Sequence, residues 1–373
     1  MNDKIQITIS LIVILSVAVL QPSPAFCGSS QDPDDSGGYY FYHGYDYGSE
    51  AMINPLSIIL NGGFGILQMD NQSNYLDDVD FRTGIDNVTW NLSNPLSSIG
   101  KIGFGNFFLN QIFPISINRD RAYYWPNYTL HLIGGGMSYR MISEWFEYHD
   151  FRHPRSLSVL TMTAYHFLNE IVENSSFVGY NTDPIADLYI FDPLGILMFS
   201  SDRVSSFFSE TLNMADWSYQ FAYDPYRNAV KNIGQNFVLK YWINEDEDIG
   251  LFYHFGTHGE LGLSFRRSNG ECLSIGAGLV ANELLNIGKN ANLRELSANL
   301  VVTAGVFYDR NNSLLASLIY SKTQDYKVRL NVYPGLFPTG YISPGIFLSL
   351  DQENILSAGI SFSFSPVGLF RRF

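Results

Sequence analysis

From residue 235 onward, apolar and polar residues take turns along the chain. Phe237, Leu239, Tyr241 and Ile243 alternate with Asn236, Val238, Lys240 and Trp242. The same beat returns in Leu261, Leu263 and Phe265, in Leu273, Ile275, Ala277 and Leu279, and in Leu300, Val302, Ala304 and Val306. It returns again in Tyr326, Val328, Leu330 and Val332, and in Leu356, Ala358, Ile360, Phe362 and Phe364. A period of two belongs to a strand with two unlike faces. With residues 249–256, 313–320 and 346–350, the pattern predicts about nine strands of roughly 8–11 residues, near the length that crosses a bilayer at a barrel strand's tilt. The connections at 244–248, 268–270, 309–312 and 351–354 are rich in Asn, Asp, Gly and Glu, as turns are.

Residues 127–212 follow a helical beat instead, with Leu130, Ile133, Met137, Met141 and Trp145 at spacings of three and four. Gly134, Gly135 and Gly136 sit inside this stretch. Each costs about 1 kcal/mol against alanine in a helix interior, which points to close backbone packing or a break. Pro154 suits the first position of a second helix, reaching to about residue 174. A third apolar segment, 185–199, is interrupted by Asp192, Pro193 and Gly195, and a short amphipathic helix follows at 203–212. Residues 53–126 read as N-terminal strands and loops, with strands at 57–67 and 81–90 and a loop at 91–100. Residues 28–52 read as a flexible linker whose aromatic cluster, including Tyr40, Phe41 and Tyr42, becomes ordered by packing on a barrel rim. Residues 1–27 read as a signal peptide: Lys4, an apolar core at 7–20, the breakers Pro22 and Pro24, and cleavage after Ala25 or Cys27.

Composition sharpens the fold class. Only 16% of residues are charged, against roughly 25% in ordinary soluble domains, while aromatics reach 15% and glycines number 32. Such a surface need not all face water, yet the mature chain offers no run of ~20 apolar residues for a spanning helix. A membrane protein without such helices must be a closed barrel, because lipid cannot satisfy an open edge. The expected fold is mainly β: a transmembrane antiparallel β-barrel of about 10–12 strands with an α-helical segment inserted before the C-terminal strands. Closure would need one or more strands from 53–125 against 356–364. The competing fold, a soluble sandwich, would crowd its polar face with Lys, Glu and Thr. Here that face carries Gly, Ser and Asn, and Tyr241, Tyr308, Tyr320 and Tyr326 near strand ends suit an interfacial girdle.

These features imply a bacterial outer-membrane location after export, with outer-membrane lipid as a partner. Phe373 resembles the C-terminal signal read by the barrel-assembly machinery, although Arg371 and Arg372 interrupt the alternation before it. The net charge of −14 excludes nucleic-acid binding, which needs a basic footprint. Cys27 stands where a lipoprotein cysteine would, after a bulky Phe26; without it Cys272 is the sole thiol, so no internal disulfide forms.

Asn127, Tyr128, Thr129, Leu130 and His131, with Gly134 to Gly136, Tyr139, Arg140 and Glu170, resemble the core of a bacterial outer-membrane β-barrel family, a domain of unknown function with a helical segment. The resemblance covers about residues 120–190, reaching Asp183, Pro184, Ile185, Ala186, Asp187 and Leu188. Leu132 stands where the family has proline. The resemblance implies a barrel with a helical segment and no activity.

The helical segment is unusually polar for so apolar a region. His166, Asn169, Glu170 and Glu173 share one helix face by spacing, Asp183 and Asp187 are four apart, and His131 and the Arg140–Glu144 pair precede them. One reading is a buried network of hydrogen bonds and ion pairs. Another is a small-molecule or lipid ligand site, or a divalent metal held by His166, Glu170, Asp183 and Asp187. No cofactor and no catalytic residue follow from these residues alone. A hydrolase using His254, His258 and Ser264 lacks a Gly-x-Ser-x-Gly elbow, and the triple glycine lacks the spacing of a phosphate loop. Two functions stay open: an outer-membrane protein of structural, binding or transport type with a polar helical plug, or a lipid- or envelope-modifying enzyme using the helical His and carboxylates.

Overall fold

The structure, a computed structural model, describes residues 38–114, 126–244, 248–288, 290–337 and 343–373. The expected signal segment, Cys27 and the first part of the expected linker lie outside the described residues. The chain is mainly β, with a helical layer built first. Its helices are α1 (Pro55–Gly63), α2 (Phe81–Ser93), α3 (Pro95–Ile102) and α4 (Phe104–Phe107, continued by a π turn Phe108–Ile112). Then come α5 (π-helical Asn127–Gly135 running into Gly136–Tyr148) and α6 (Pro154–Glu173). Last are α7 (Asp183–Ala186, π-helical Asp187–Phe191, Asp192–Phe199) and α8 (Asp202–Ser206, Phe207–Thr211).

Residues 53–113 are therefore helical, not the strands and loops expected at 57–67, 81–90 and 91–100. Local capping decides this. The Asn54 side chain accepts from Ser57 N while Ser57 Oγ accepts from Asn54 N, with Pro55 at the first helical position. Asp80 accepts from Arg82 N and Thr83 N, and Pro95 opens α3. Residues 38–52 are docked rather than loose. Glu144 accepts backbone N–H groups from Tyr40, Phe41 and Tyr42 at 3.1, 2.8 and 3.1 Å, and Phe41 and Tyr42 are buried.

The strands are β1 (Tyr180–Asn181), β2 (Ala215–Asp216), β3 (Ala222–Asp224), β4 (Ala229–Lys231), β5 (Phe237–Trp242), β6 (Ile249–Phe255), β7 (His258–Arg266), β8 (Glu271–Asn286), β9 (Leu293–Arg294), β10 (Leu296–Arg310), β11 (Ser313–Ser321), β12 (Val328–Val332), β13 (Gly345–Leu350), β14 (Leu356–Phe362) and β15 (Ser365–Arg372). β1 pairs with β9 in a small parallel bridge. The other thirteen form one sheet in the order β2-β5-β6-β7-β8-β10-β11-β12-β13-β14-β15-β3-β4, antiparallel except where β15 meets β3. All nine strands expected from the period-two pattern are present, and β15 extends them through Arg371 and Arg372.

The sheet is not closed into a barrel: β2 and β4 are its two edges. Nor do the described residues of 53–114 supply a closing strand; their pairing with the sheet is limited to the isolated bridges Asp70–Glu283 and Tyr75–Ala229 and a few single hydrogen bonds. One segment instead touches both ends of the long-strand array. Ala215 and Asp216 pair with β5, and Ala222 and Tyr223 pair with β15. Between them Trp217 and Tyr219 are fully buried against Phe252, Phe307 and Phe347, so each ladder stops after two residue pairs.

The sheet's two faces are inverted relative to a water-soluble sheet. On β8, Leu273 and Ile275 are exposed while Cys272 and Ser274 are buried; on β12, Leu330 is exposed while Arg329 and Asn331 are buried. The same holds for Leu348 against Ser349 and Ile360 against Ser361. Inside, Arg329 lies over the Phe347 and Tyr219 rings at 4.4 and 5.0 Å and donates from Nε to Asn331 Oδ1 at 2.8 Å. Lys240 Nζ donates to Asp309 Oδ2 at 2.6 Å. Rings fill what remains: Phe347 lies across Gly359, where a Cβ would sit 2.1 Å from its Cε1. Of the expected girdle, Tyr241 and Tyr320 are exposed, but Tyr326 packs against this interior cluster.

Candidate functional site

The polar residues of the helical layer converge because two helices touch backbone to backbone. A Cβ on Gly136 of α5 would meet Gly195 O at 2.7 Å, and one on Gly195 of α7 would meet the carbonyl oxygens of Leu132 and His131 at 2.6 and 2.9 Å. The glycines thus serve close packing, one of the two expected roles. The approach sets His131 Nδ1 2.9 Å from Asp192 Oδ1 and His131 Nε2 3.4 Å from Asp187 Oδ2. From α6, His166 Nε2 comes to 3.3 Å from the same Asp192 oxygen. His131 and Asp187 both lie in π-helical stretches, which concentrate at functional sites.

One turn along α6 the character changes to acid. Glu170, Asp183 and Asp187 bring carboxylate oxygens within 4.8 Å of one another. Glu173 follows, with Arg294 Nη2 3.5 Å from its Oε1. The framework around them is amide-rich: Asn174 Nδ2 donates to Glu170 Oε2 at 3.3 Å, and Asn181 Nδ2 donates to Asn174 Oδ1 at 2.7 Å. Asn181 Oδ1 in turn accepts from Asp183 N at 3.0 Å. Among the described residues, His166 Nδ1, Glu173 Oε1 and Asp187 Oδ1 are buried atoms of the cluster with no hydrogen-bond partner.

Burial and crowding shift these groups in opposite directions. Burial alone would lower the His131 pKa, but the Asp192 carboxylate, with Glu170 and Asp183 farther off, raises it above the ordinary value. His166 has weaker support: burial drives it down to about 3 despite Asp192. Burial raises Glu170 well above the usual carboxylate range, and Glu173, Asp183 and Asp187 add repulsion. Asp187 moves the same way through burial and its neighbours Asp183 and Asp192. The cluster faces a cavity of about 100 Å³, partly open to solvent, whose wall includes His131, Glu173, Asp183 and Asp187.

Of the residues singled out in the sequence, His131, His166, Glu170, Glu173, Asp183 and Asp187 meet here. Asn169 lines the same cavity and donates to Gly62 O at 3.1 Å, tying α6 to α1. Arg140 and Glu144 belong elsewhere: Arg140 Nε donates to Glu144 Oε1 at 2.8 Å, and the pair clasps residues 40–42. The metal set expected from the sequence is regrouped, since His166 turns to Asp192 rather than to Glu170 and Asp183. Asp192 itself was hidden by its reading as a break in an apolar segment. Its signal was the Asp-Pro pair of a helix start.

A second cluster lies in the sheet interior. His258 Nε2 is 2.8 Å from His254 Nδ1, which is 3.1 Å from Glu260 Oε2, and Thr303 Oγ1 donates to Glu260 Oε1 at 2.6 Å. Both histidines are buried. The Ser264 hydroxyl pairs with Ser274 Oγ at 2.6 Å, so it is engaged away from the imidazoles that a hydrolase would need. The cavity beside His254 and His258, about 40 Å³, shares Gly65, Met69 and Thr257 with the cavity of the helical cluster. Cys272 is a buried free thiol.

Comparison of the chain with family models, curated proteins and solved structures gave no match. The resemblance over residues 120–190 therefore carries no argument below. Among the described residues no helix is long and apolar enough to cross a membrane.

Proposed function

We propose that this chain is a bacterial outer-membrane protein whose sheet acts as a lipid-facing barrel wall and whose helical layer plugs it, a binding protein rather than an open pore. The observation that carries this is the inverted sheet. Leu261, Leu263, Ile275, Leu318 and Leu348 stand exposed, while Arg329, Lys240, Asp309, Asn331 and Ser349 are buried. In water this arrangement would expose a large apolar patch and desolvate charge. In lipid it satisfies both faces, provided the edges are covered. The segment bonded to β5 at one end and β15 at the other supports that cover. Trp217, Tyr219 and Arg329 fill the interior, which favours binding in the cavities over conduction.

Fractionation tests the reading: the protein is expected in the membrane pellet, released by detergent, with a mobility on gels that changes on boiling. Recovery in the soluble extract would end it. A finer test is Ile275→Arg, on the exposed face of β8. It is expected to cost about 2–4 kcal/mol in folding into lipid vesicles, the range for a basic residue at the bilayer midplane. A change within about 0.5 kcal/mol, typical of a watery surface, would contradict a lipid-facing position.

The second reading, a lipid- or envelope-modifying enzyme, is favoured by one observation: His131, Asp187 and Glu173 converge beside a cavity. Envelope lipid profiles that are identical with and without the protein would remove it.

A further inference from the structure

Five carboxylates, Glu170, Glu173, Asp183, Asp187 and Asp192, share the interior of the helical layer. Among the described residues the cationic groups facing them are Arg294, held near Glu173, and His131, held between Asp187 and Asp192. Buried charge of one sign is costly unless it is neutralised by protons or by a cation. The unmet part of this charge is localised. Asp192 is engaged by two imidazoles, Arg294 is shared between Glu173 and Asp183, and His131 also reaches Asp187, so two cationic groups serve five carboxylates and no ion pair among the described residues reaches Glu170.

We propose that Glu170, Asp183 and Asp187 form a binding site for a hard divalent cation of the Ca²⁺, Mn²⁺ or Mg²⁺ class. The Asp187 side chain, only 4% exposed, turns Oδ2 to His131 and leaves Oδ1 buried with no donor among the described residues, and one oxygen of this carboxylate lies within 4.8 Å of oxygens of Glu170 and Asp183. The spacing fits: oxygens on opposite sides of a Ca²⁺ ion, each at 2.3–2.6 Å, stand roughly 4.6–5.2 Å apart, and these lie within 4.8 Å. An all-oxygen set selects hard ions over Zn²⁺, which prefers nitrogen and sulfur. Asp183 is half-buried and lines the cavity of about 100 Å³, which opens to solvent and gives the ion an entrance and room for water ligands. His131 orients Asp187 from behind, as groups around a metal's ligands do. The site does not depend on where the protein resides, so it stands or falls apart from the membrane reading.

The test uses the full chain in detergent, stripped with chelator and titrated calorimetrically with CaCl₂, MnCl₂, MgCl₂ and ZnCl₂. One ion per chain is expected from the hard set, with a rise in melting temperature. Asp183→Asn and Asp187→Asn should each weaken binding tenfold or more. Asp183 faces the cavity, so its variant keeps the test sound if the more buried Asp187 variant fails to fold. Absence of saturable binding by wild type overturns the proposal, as does unchanged affinity in a folded Asp183→Asn protein. Binding of Zn²⁺ alone, lost in His166→Ala, would also overturn it by moving the metal to His131, His166 and Asp192.

Discussion

Asp309→Ala is expected to destabilise the protein by about 3–5 kcal/mol, the cost of leaving a buried charge without its partner. Asp309 and Lys240 are 1% and 2% exposed and meet at 2.6 Å, with the Lys240 ammonium 4.8 Å from the centre of the Trp217 ring. Alanine would leave that ammonium facing the ring and no carboxylate. Urea unfolding of the protein in detergent reads the loss. Replacing both partners with apolar residues, Lys240→Met with Asp309→Leu, should recover most of it, because the penalty belongs to the stranded charge and not to the missing pair. A loss below about 1 kcal/mol in the single variant would mean that the ammonium is hydrated through the neighbouring cavity.

Glu144→Ala should be of similar size but different in kind. Its carboxylate accepts from three consecutive backbone N–H groups and from Arg140. Removing it strands those donors and frees residues 38–52 from the helical layer. The expected loss is about 3–5 kcal/mol, much of it felt as local opening rather than global unfolding. Hydrogen exchange at Tyr40, Phe41 and Tyr42 should accelerate strongly, and protease should cut between Gly44 and Gly48 while the sheet stays intact. Glu144→Gln keeps one acceptor oxygen and should lie between wild type and alanine. Unchanged exchange in the alanine variant would show that Phe41 and Tyr42, through their packing, hold the segment alone.

The sheet was readable because a period of two survives when one face meets protein and the other does not. Leu273, Ser274 and Ile275 declare both faces in three residues. The helices at 55–113 were hidden by composition: Ile58, Ile59 and Leu60 followed by Gly62 and Gly63 suit a strand with a bend. Their decisive signals were short-range caps, Asn54 with Ser57 and Asp80 with Thr83, which periodicity does not register. Closure was misjudged for a related reason. The elements at the two ends of the sheet, β2 on one side and β3 with β4 on the other, are two or three residues long, too short to carry a pattern. The candidate site was legible where spacing along one helix placed its members, as with His166, Glu170 and Glu173. It was illegible where tertiary contact did so: Asp192 reaches His131 only because Gly136 and Gly195 let two backbones meet.

The parallel contact of Gly368 and Leu369 with Ala222 and Tyr223 has a temporal side. Residues 222–224 can pair with β4 early, but their contact with β15 forms only after everything out to β15 has been synthesised. Segment 215–224 must therefore wait, with Trp217 and Tyr219 exposed, until the hairpins from β5 to β14 have assembled. Folding of this chain should end with that contact, and loss of the last few residues should trap an intermediate with nearly complete hairpins and an unfilled interior.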